Sequence, residues 1–290
     1  MPARLTKLKR EGETSHVEAT RKISDPQKRL VKVIELLETN LGKPVWDKPK
    51  DALEILVLTI LSQNTTDPNA LKGYESLTRK YPSKPSGTKD PAALPRDENG
   101  EIDKVKIRLS DAAMAIDPPD WAVVSKLPKK KLADAIRFAG LPDSKSGAIL
   151  AALHWIEAQR DDYKLEPILE KMGVDEIIEK LTALKGIGPK TVTVTLIEAA
   201  GTDLCPVDTH VHRMINRLGI LDTNKDRDKT FRLLRPMMPK NTAFALHHNL
   251  LTFGRTICTA RSPKCGECFM RRLCPAREDS NQGTAKSNCV

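Results

Sequence analysis

The stretch LKGIGPKTV, residues 184–192, sets two glycines around one apolar residue and follows them with Pro and Lys at the opening of a helix. Gly186 and Gly188 can take backbone angles closed to other residues, so the connection is tight and its N–H groups face outward. Pro189 fits the first helical turn, where a missing N–H costs nothing. N–H groups gathered at a turn and a helix N-terminus form an anion site suited to a DNA phosphate. That makes Gly186, Ile187 and Gly188 candidate DNA contacts, although a plain tight connection between two helices reads the same way. Lys190 falls in the first turn of the new helix. The positive end of the helix dipole disfavours its ammonium form. A basic surface around it adds to this, and the neutral amine is the nucleophilic form. Its plainer role is phosphate contact.

Working outward, the chain reads as mostly helical. In RLVKVIELLETNL (29–41), Leu30, Val33, Ile34, Leu37 and Leu41 recur at helical spacing. ALEILVLTIL (52–61) is apolar nearly all round, as a buried central helix would be. DPNALKGYESLTRKY (67–81) opens with Asp67 as the expected N-cap and Pro68 at the first helical position. Further helical patterns occupy about 129–139, 143–159, 174–184, 226–235 and 241–254. One segment disagrees: TVTVTL (191–196) alternates as a strand does. Residues 1–24 read as a flexible basic arm and 84–118, rich in Pro and charge, as an inserted loop. Residues 277–290 read as a polar tail.

Forty-eight Lys and Arg oppose thirty-eight Asp and Glu, a net charge of +10 that points to a polyanionic partner, most simply nucleic acid. The length of 290 residues and 39% hydrophobic content allow a substantial core. No apolar run approaches the ~18 residues of a membrane span. MPARLTKLKR has no hydrophobic signal core, so the expected location is the cytoplasm of a prokaryote or the nucleus of a eukaryote. In those compartments thiols stay reduced and clustered cysteines suggest metal. Four of the six cysteines lie within CTARSPKCGECFMRRLC (258–274), as Cys258-x6-Cys265-x2-Cys268-x5-Cys274. Four thiolates suit zinc, but structural zinc sites often use two short pairs, and here one C-x2-C has longer arms. They equally suit a 4Fe–4S cube, whose corners need ligands from diverging directions. Cys205 reads as a small core residue and Cys289 lies in the tail.

Eighteen residues after Lys190, PVDTHVHRMINRLGI (206–220) places Asp208 before a helical pattern. Its ordinary role is N-cap; its sharper one is a carboxylate working with Lys190. LKGIGPKT, then PVDTH, then the four-cysteine pattern resembles the helix-hairpin-helix DNA glycosylases of the endonuclease III type. The resemblance covers roughly 28–276 and makes TVTVTL helical. It implies an all-α fold with a central hairpin domain (47–205), a discontinuous cluster domain (25–46 plus 206–276) and a DNA cleft between them. It also implies a 4Fe–4S cofactor on Cys258, Cys265, Cys268 and Cys274.

The implied activity is base excision on double-stranded DNA by a monomer, with the damaged nucleotide flipped from the stack. Lys190 matches the catalytic lysine, which forms a Schiff base and nicks the strand by β-elimination; Asp208 matches the catalytic aspartate. In LSQNTTD (61–67), Gln63 or Asn64 matches a polar filler of the vacated space, and Leu141 an apolar wedge. Arg261 and Lys264 on the cysteine loop, and Arg271 and Arg272, are candidate phosphate contacts or a solvated basic face. The histidines at 210, 212, 247 and 248 sit in helical context that gives little support to a second metal. Oxidised pyrimidines are the default substrate. The adenine-removing branch places a catalytic Glu before the filler, and LVLTI (56–60) has no acid. LSQNTTD, PVDTHVHR, LHHNLLTFGRTIC and the long insertion resemble plant 5-methylcytosine glycosylases. Mismatched thymine or uracil, or a modified cytosine, is therefore the alternative substrate. A noncatalytic DNA-structure-binding protein is the competing class, and it would need neither Lys190 nor Asp208.

Overall fold

The computed structural model of the protein describes residues 23–84 and 109–276, with 87, 89, 94, 96–100 and 103 between them. The tail, nearly all of the N-terminal arm and much of the insertion therefore lie outside the described residues. Those described form helices α1 (Pro26–Leu41), α2 (Ala52–Leu61), α3 (Asp67–Lys80), α4 (Leu109–Ala115), α5 (Trp121–Ser125), α6 (Lys129–Ala135), α7 (Pro142–Glu157), α8 (Glu166–Lys171), α9 (Val174–Thr182), α10 (Pro189–Ala200), α11 (Thr209–Arg217), α12 (Arg227–Leu234) and α13 (Ala243–Thr256). Among the described residues there is no strand; Pro82 and Pro119 form an isolated bridge. No helix is long and apolar enough to cross a membrane. Chain contacts divide the protein into a discontinuous unit, residues 1–45 with 207–290, and a continuous one, Trp46–Pro206.

In the continuous unit every residue of α2 is buried. The Asp51 carboxylate caps it by accepting the Glu54 N–H at 2.8 Å. Helix α10 packs along α2 as the most extensive pairing of elements. This is where the strand-like TVTVTL lies. Its Thr191, Val192, Thr193 and Thr195 are all buried, so the alternation does not separate a wet face from a dry one. The hydroxyls of Thr193 and Thr195 donate back to the carbonyls of Pro189 (2.8 Å) and Thr191 (3.0 Å), four residues earlier. Such bonds let buried threonines sit inside a helix, and tertiary packing overrides the local β preference. The end of α10 is pinned by Trp46, whose indole donates to Glu198 O at 2.9 Å. A Cβ at Gly201 would stand 2.7 Å from the indole ring, and φ there is +63°.

Two sequence expectations change. Asp67 is the first residue of α3 rather than its cap; Thr66 takes the cap position. Part of the expected loop is helical, since LSDAAMA forms α4. At seven residues it is too short for periodicity to show against its Pro-rich flanks.

Glu54 on α2 is an acid that amphipathic reading places poorly. It is 2% exposed. It accepts the Tyr74 hydroxyl at 2.9 Å and the Lys89 ammonium at 2.8 Å. Burial raises its carboxyl to about 7, outweighing the opposing pull of Lys89. The native state thus holds this proton more tightly than the unfolded chain, whose value is near the ordinary 4.5. Its stabilising contribution is complete below the unfolded value and lost as pH rises from there to about 7, on the order of 3 kcal/mol in all. Chemical denaturation of Glu54→Gln against wild type across pH 4–8 should show this slope removed; identical slopes would refute the assignment.

In the discontinuous unit, Asp25 caps α1 by accepting the N–H groups of Gln27 and Lys28. Helices α1 and α11 both pack on α13. Asn249 of α13 donates to Gly42 O beyond the end of α1. His212 spends one ring nitrogen on Thr230 Oγ1 (2.8 Å) and the other on Asn224 O (2.9 Å), so its place is structural.

Candidate active site

Helix α9 ends at Thr182 and α10 begins at Pro189, so residues 183–188 form the turn of a helical hairpin. Gly186 is required there twice over. Its φ is +92°, and a Cβ would come 2.9 Å from the Ala148 Cβ on α7. Gly188 is different: it adopts extended φ −104° and ψ 172° as the N-cap of α10, and nothing lies within 4 Å of an added Cβ. Its backbone is therefore open to other residues, which corrects the expectation from G-x-G. Ile187 is buried at 4% exposure and its N–H donates to Leu184 O. It anchors the turn from below. Lys190 follows in the first turn of α10, half-exposed.

Two more turns of this unit carry candidate DNA contacts. After α2, Gln63 is half-buried and its amide donates to Gly186 O and Thr191 Oγ1, both at 3.1 Å. It ties this turn to the hairpin. Asn64 beside it is exposed and left-handed, φ +52°. After the 3-10 turn Arg137–Ala139, Leu141 is 55% exposed and also left-handed, φ +49°. A left-handed leucine presented to solvent costs strain and apolar exposure together, the kind of outlier that points to function. Phe138, 47% exposed, lies in the same turn with the Arg137 guanidinium 4.9 Å above its ring.

In the discontinuous unit, Asp208 is the N-cap of α11, its Oδ1 accepting the Val211 N–H at 2.7 Å. Burial lowers the neighbouring His210 imidazole from its ordinary value, while the Asp208 charge pulls it the other way. Later turns of α11 supply two arginines that sequence reading missed. Arg213 donates to Cys258 O (2.9 Å) and Gly254 O (3.2 Å). Arg217 donates to Thr259 O (2.9 Å) and Ala260 O (2.8 Å) and reaches Cys258 Sγ at 3.5 Å. From α1, Arg29 donates to Leu273 O at 2.8 Å. The only sequence signal for these was arginine on an amphipathic helix, which a solvated face shares.

The arginines frame the 258–274 segment. Cys258, Cys265, Cys268 and Cys274 are half-exposed and in no disulfide among the described residues. Burial raises the Cys268 thiol to about 11; the Met270 N–H lowers it, and the nearby thiols of Cys258, Cys274 and Cys265 add smaller upward contributions. Among the described residues no three His, Cys, Asp or Glu side chains are grouped as a metal-ion site. Four cysteines in one segment held by guanidinium donors have the chemistry to hold an iron–sulfur cluster, whose negative charge such donors offset. Buried Met270 and Leu273, and the Phe253–Phe269 ring contact at 5.0 Å, seat the segment on α13. Arg261, Lys264, Arg271 and Arg272 are all exposed on it.

Residues 57–240 match the family model described as HhH-GPD superfamily base excision DNA repair protein. The chain belongs to that superfamily. Residues 258–274 match the iron–sulfur binding domain of endonuclease III, so the segment is an iron–sulfur binding one. Endonuclease III of Sulfolobus acidocaldarius is 29% identical over 79% of this chain and 84% of its own length. That of Thermotoga maritima is 27% identical over 88% and 98%. A solved non-covalent endonuclease III–DNA complex superposes with a TM-score of 0.62 at 22% identity, covering 88% of this chain and 98% of the other. This HhH-GPD protein is thus a base excision repair glycosylase whose partner is DNA.

Proposed function

We propose that this glycosylase, which also cuts DNA as a lyase at abasic sites, removes oxidised pyrimidines from double-stranded DNA as a monomer, using Lys190 as its nucleophile. The observation that carries the reading is the place of Lys190, in the first turn of a helix that opens from a glycine-pinned hairpin. The turn and the helix N-terminus attract the phosphate backbone, and the same dipole favours the neutral amine. The amine attacks C1′ of the flipped nucleotide. The base departs with the electron pair of the glycosidic bond and gains a proton. The ring opens to an iminium, a C2′ proton is lost, and the 3′ phosphate leaves. Water then releases the lysine from the Schiff base. Asp208 stabilises the positive charge that builds on the sugar as the base departs, or assists deprotonation of Lys190. Asn64 enters the vacated space in the duplex and Leu141 wedges the stack, while Gln63 holds the filler turn against the hairpin.

The four cysteines would hold a 4Fe–4S cluster. The Cys258-x6-Cys265-x2-Cys268-x5-Cys274 spacing supports it, with one C-x2-C flanked by longer arms rather than the two short pairs common in structural zinc sites. A bound cluster would fix the 258–274 loop, where Arg261 and Lys264 meet phosphate. Brown protein containing iron and labile sulfide in equal amounts is expected; a colourless anaerobic preparation containing zinc would refute it.

The deciding experiment pairs borohydride trapping on an abasic duplex with a lesion panel. The panel carries oxidised pyrimidines, thymine or uracil opposite guanine, and 5-methylcytosine. A trapped covalent complex with preferential release of oxidised pyrimidines is expected. Release confined to mismatched thymine or uracil, or to modified cytosine, would overturn the substrate, and absence of both trapping and release would leave a DNA-structure-binding protein.

A further inference from the structure

We propose that Lys145 is a positioning residue for base extrusion, clamping the turn that carries Asn64 to the turn that carries Leu141. This rests on the reading that those two side chains enter the duplex. Lys145 lies in the first turn of α7 and is 1% exposed. Its ammonium donates to Leu61 O at 2.8 Å and to Ala139 O at 2.6 Å. Leu61 is the last residue of α2, three before Asn64; Ala139 ends the 3-10 turn, two before Leu141. One buried side chain therefore joins the roots of both turns.

The chemistry suits a clamp. Both acceptors are carbonyls at helix C-terminal ends, which lack intrahelical partners and carry the negative end of the dipole. They offset a charge that would otherwise be costly to bury. Desolvation is felt, since it lowers the Lys145 amine to about 8. A neutral amine keeps two N–H donors, so both bonds survive deprotonation. A Met or Leu would fill the same volume without desolvating a charge, and what the lysine adds is geometry.

Both turns need it. Asn64 and Leu141 each hold a left-handed backbone, at φ +52° and +49°. Such conformations persist only where the surroundings over-determine them. The same helix also seats the hairpin, because Ala148, three residues after Lys145, is the atom that excludes a side chain at Gly186. With the Gln63 amide bridging to Gly186 O, Lys145 completes a frame joining filler turn, wedge turn and hairpin. Two side chains that enter one duplex at one base pair must keep their spacing to within about 0.5 Å to work together.

The test is a cycle on excision from a lesion duplex under single-turnover conditions, with borohydride trapping on single-stranded abasic DNA in parallel, where no stack has to be opened. Lys145→Met should slow duplex excision by roughly tenfold to a hundredfold, the cost of misplacing reacting groups by about an ångström. Trapping on the single strand should stay within about twofold, and Lys145→Arg, which keeps donors for both carbonyls, should restore most of the excision rate. In an Asn64→Ala/Leu141→Ala background, Lys145→Met should cost less than about twofold more, because its partners in extrusion are already gone. If Lys145→Met does not fold, Lys145→Gln carries the same cycle. Equal losses on both substrates, or full additivity in the double-alanine background, would reduce Lys145 to a structural residue. A double-alanine variant that is slow while Lys145→Met is harmless would refute the clamp alone. A double-alanine variant that excises at the wild-type rate would overturn the assignment of the two turns, and the clamp with it.

Discussion

Lys190→Ala should abolish borohydride trapping and lower base excision on the order of 10⁴-fold or more, the scale of losing a covalent nucleophile. The melting temperature of the variant, measured in parallel, separates lost chemistry from lost fold. Lys190→Arg completes the argument. It keeps the charge for phosphate but offers no amine that can form a Schiff base, so it should bind abasic duplex close to wild type and still fail to trap. Base release from Lys190→Ala at an undiminished rate would mean that water is the nucleophile. Trapping retained by Lys190→Ala would place the reacting amine elsewhere in the chain.

The helices legible from sequence were those with one consistent period. The run 52–61 is apolar nearly all round, Glu54 and Thr59 excepted, because α2 lies buried along its whole length. The hairpin was legible because a positive φ demands glycine, and Gly186 has one. Its neighbour misled, since Gly188 is extended and unhindered; nothing in a sequence separates a glycine required by φ from one that is not. The alternation in TVTVTL misled for a related reason. Period-2 patterning reports a sheet when one face is wet, and on α10 both sets of side chains are buried, with the threonine hydroxyls satisfied inside the helix.

The side chains that support the candidate residues were not legible. Gln63, Lys145, Arg213 and Arg217 all act on backbone carbonyls, and a carbonyl leaves no mark in sequence. Helix α11 shows what this hides. Its N-cap is Asp208, and within nine residues it also carries Arg213 and Arg217, which hold the loop at Cys258. Whatever fixes the cysteine loop thereby bears on the helix that orients Asp208.

The same geometry allows the two roles of Asp208 to be separated. The cap uses Oδ1, which accepts the Val211 N–H at 2.7 Å. Asparagine caps about as well as aspartate, whereas alanine at this position costs roughly 0.5–2 kcal/mol. Asp208→Asn should therefore match wild type in stability and Asp208→Ala should fall below it. Excision should separate differently. Both variants lose the carboxylate charge, so both should lose about 10²- to 10⁴-fold in rate, the range for a general base or a preorganised counter-charge. An internal reporter accompanies them: burial already holds the His210 imidazole low and the Asp208 charge opposes it, so NMR titration should find His210 lower still in both variants. If Asp208→Asn excises at the wild-type rate while His210 moves down, the charge has been removed and the reaction does not use it. Asp208 would then be a helix cap, and the positive charge on the sugar would have to be met by another group.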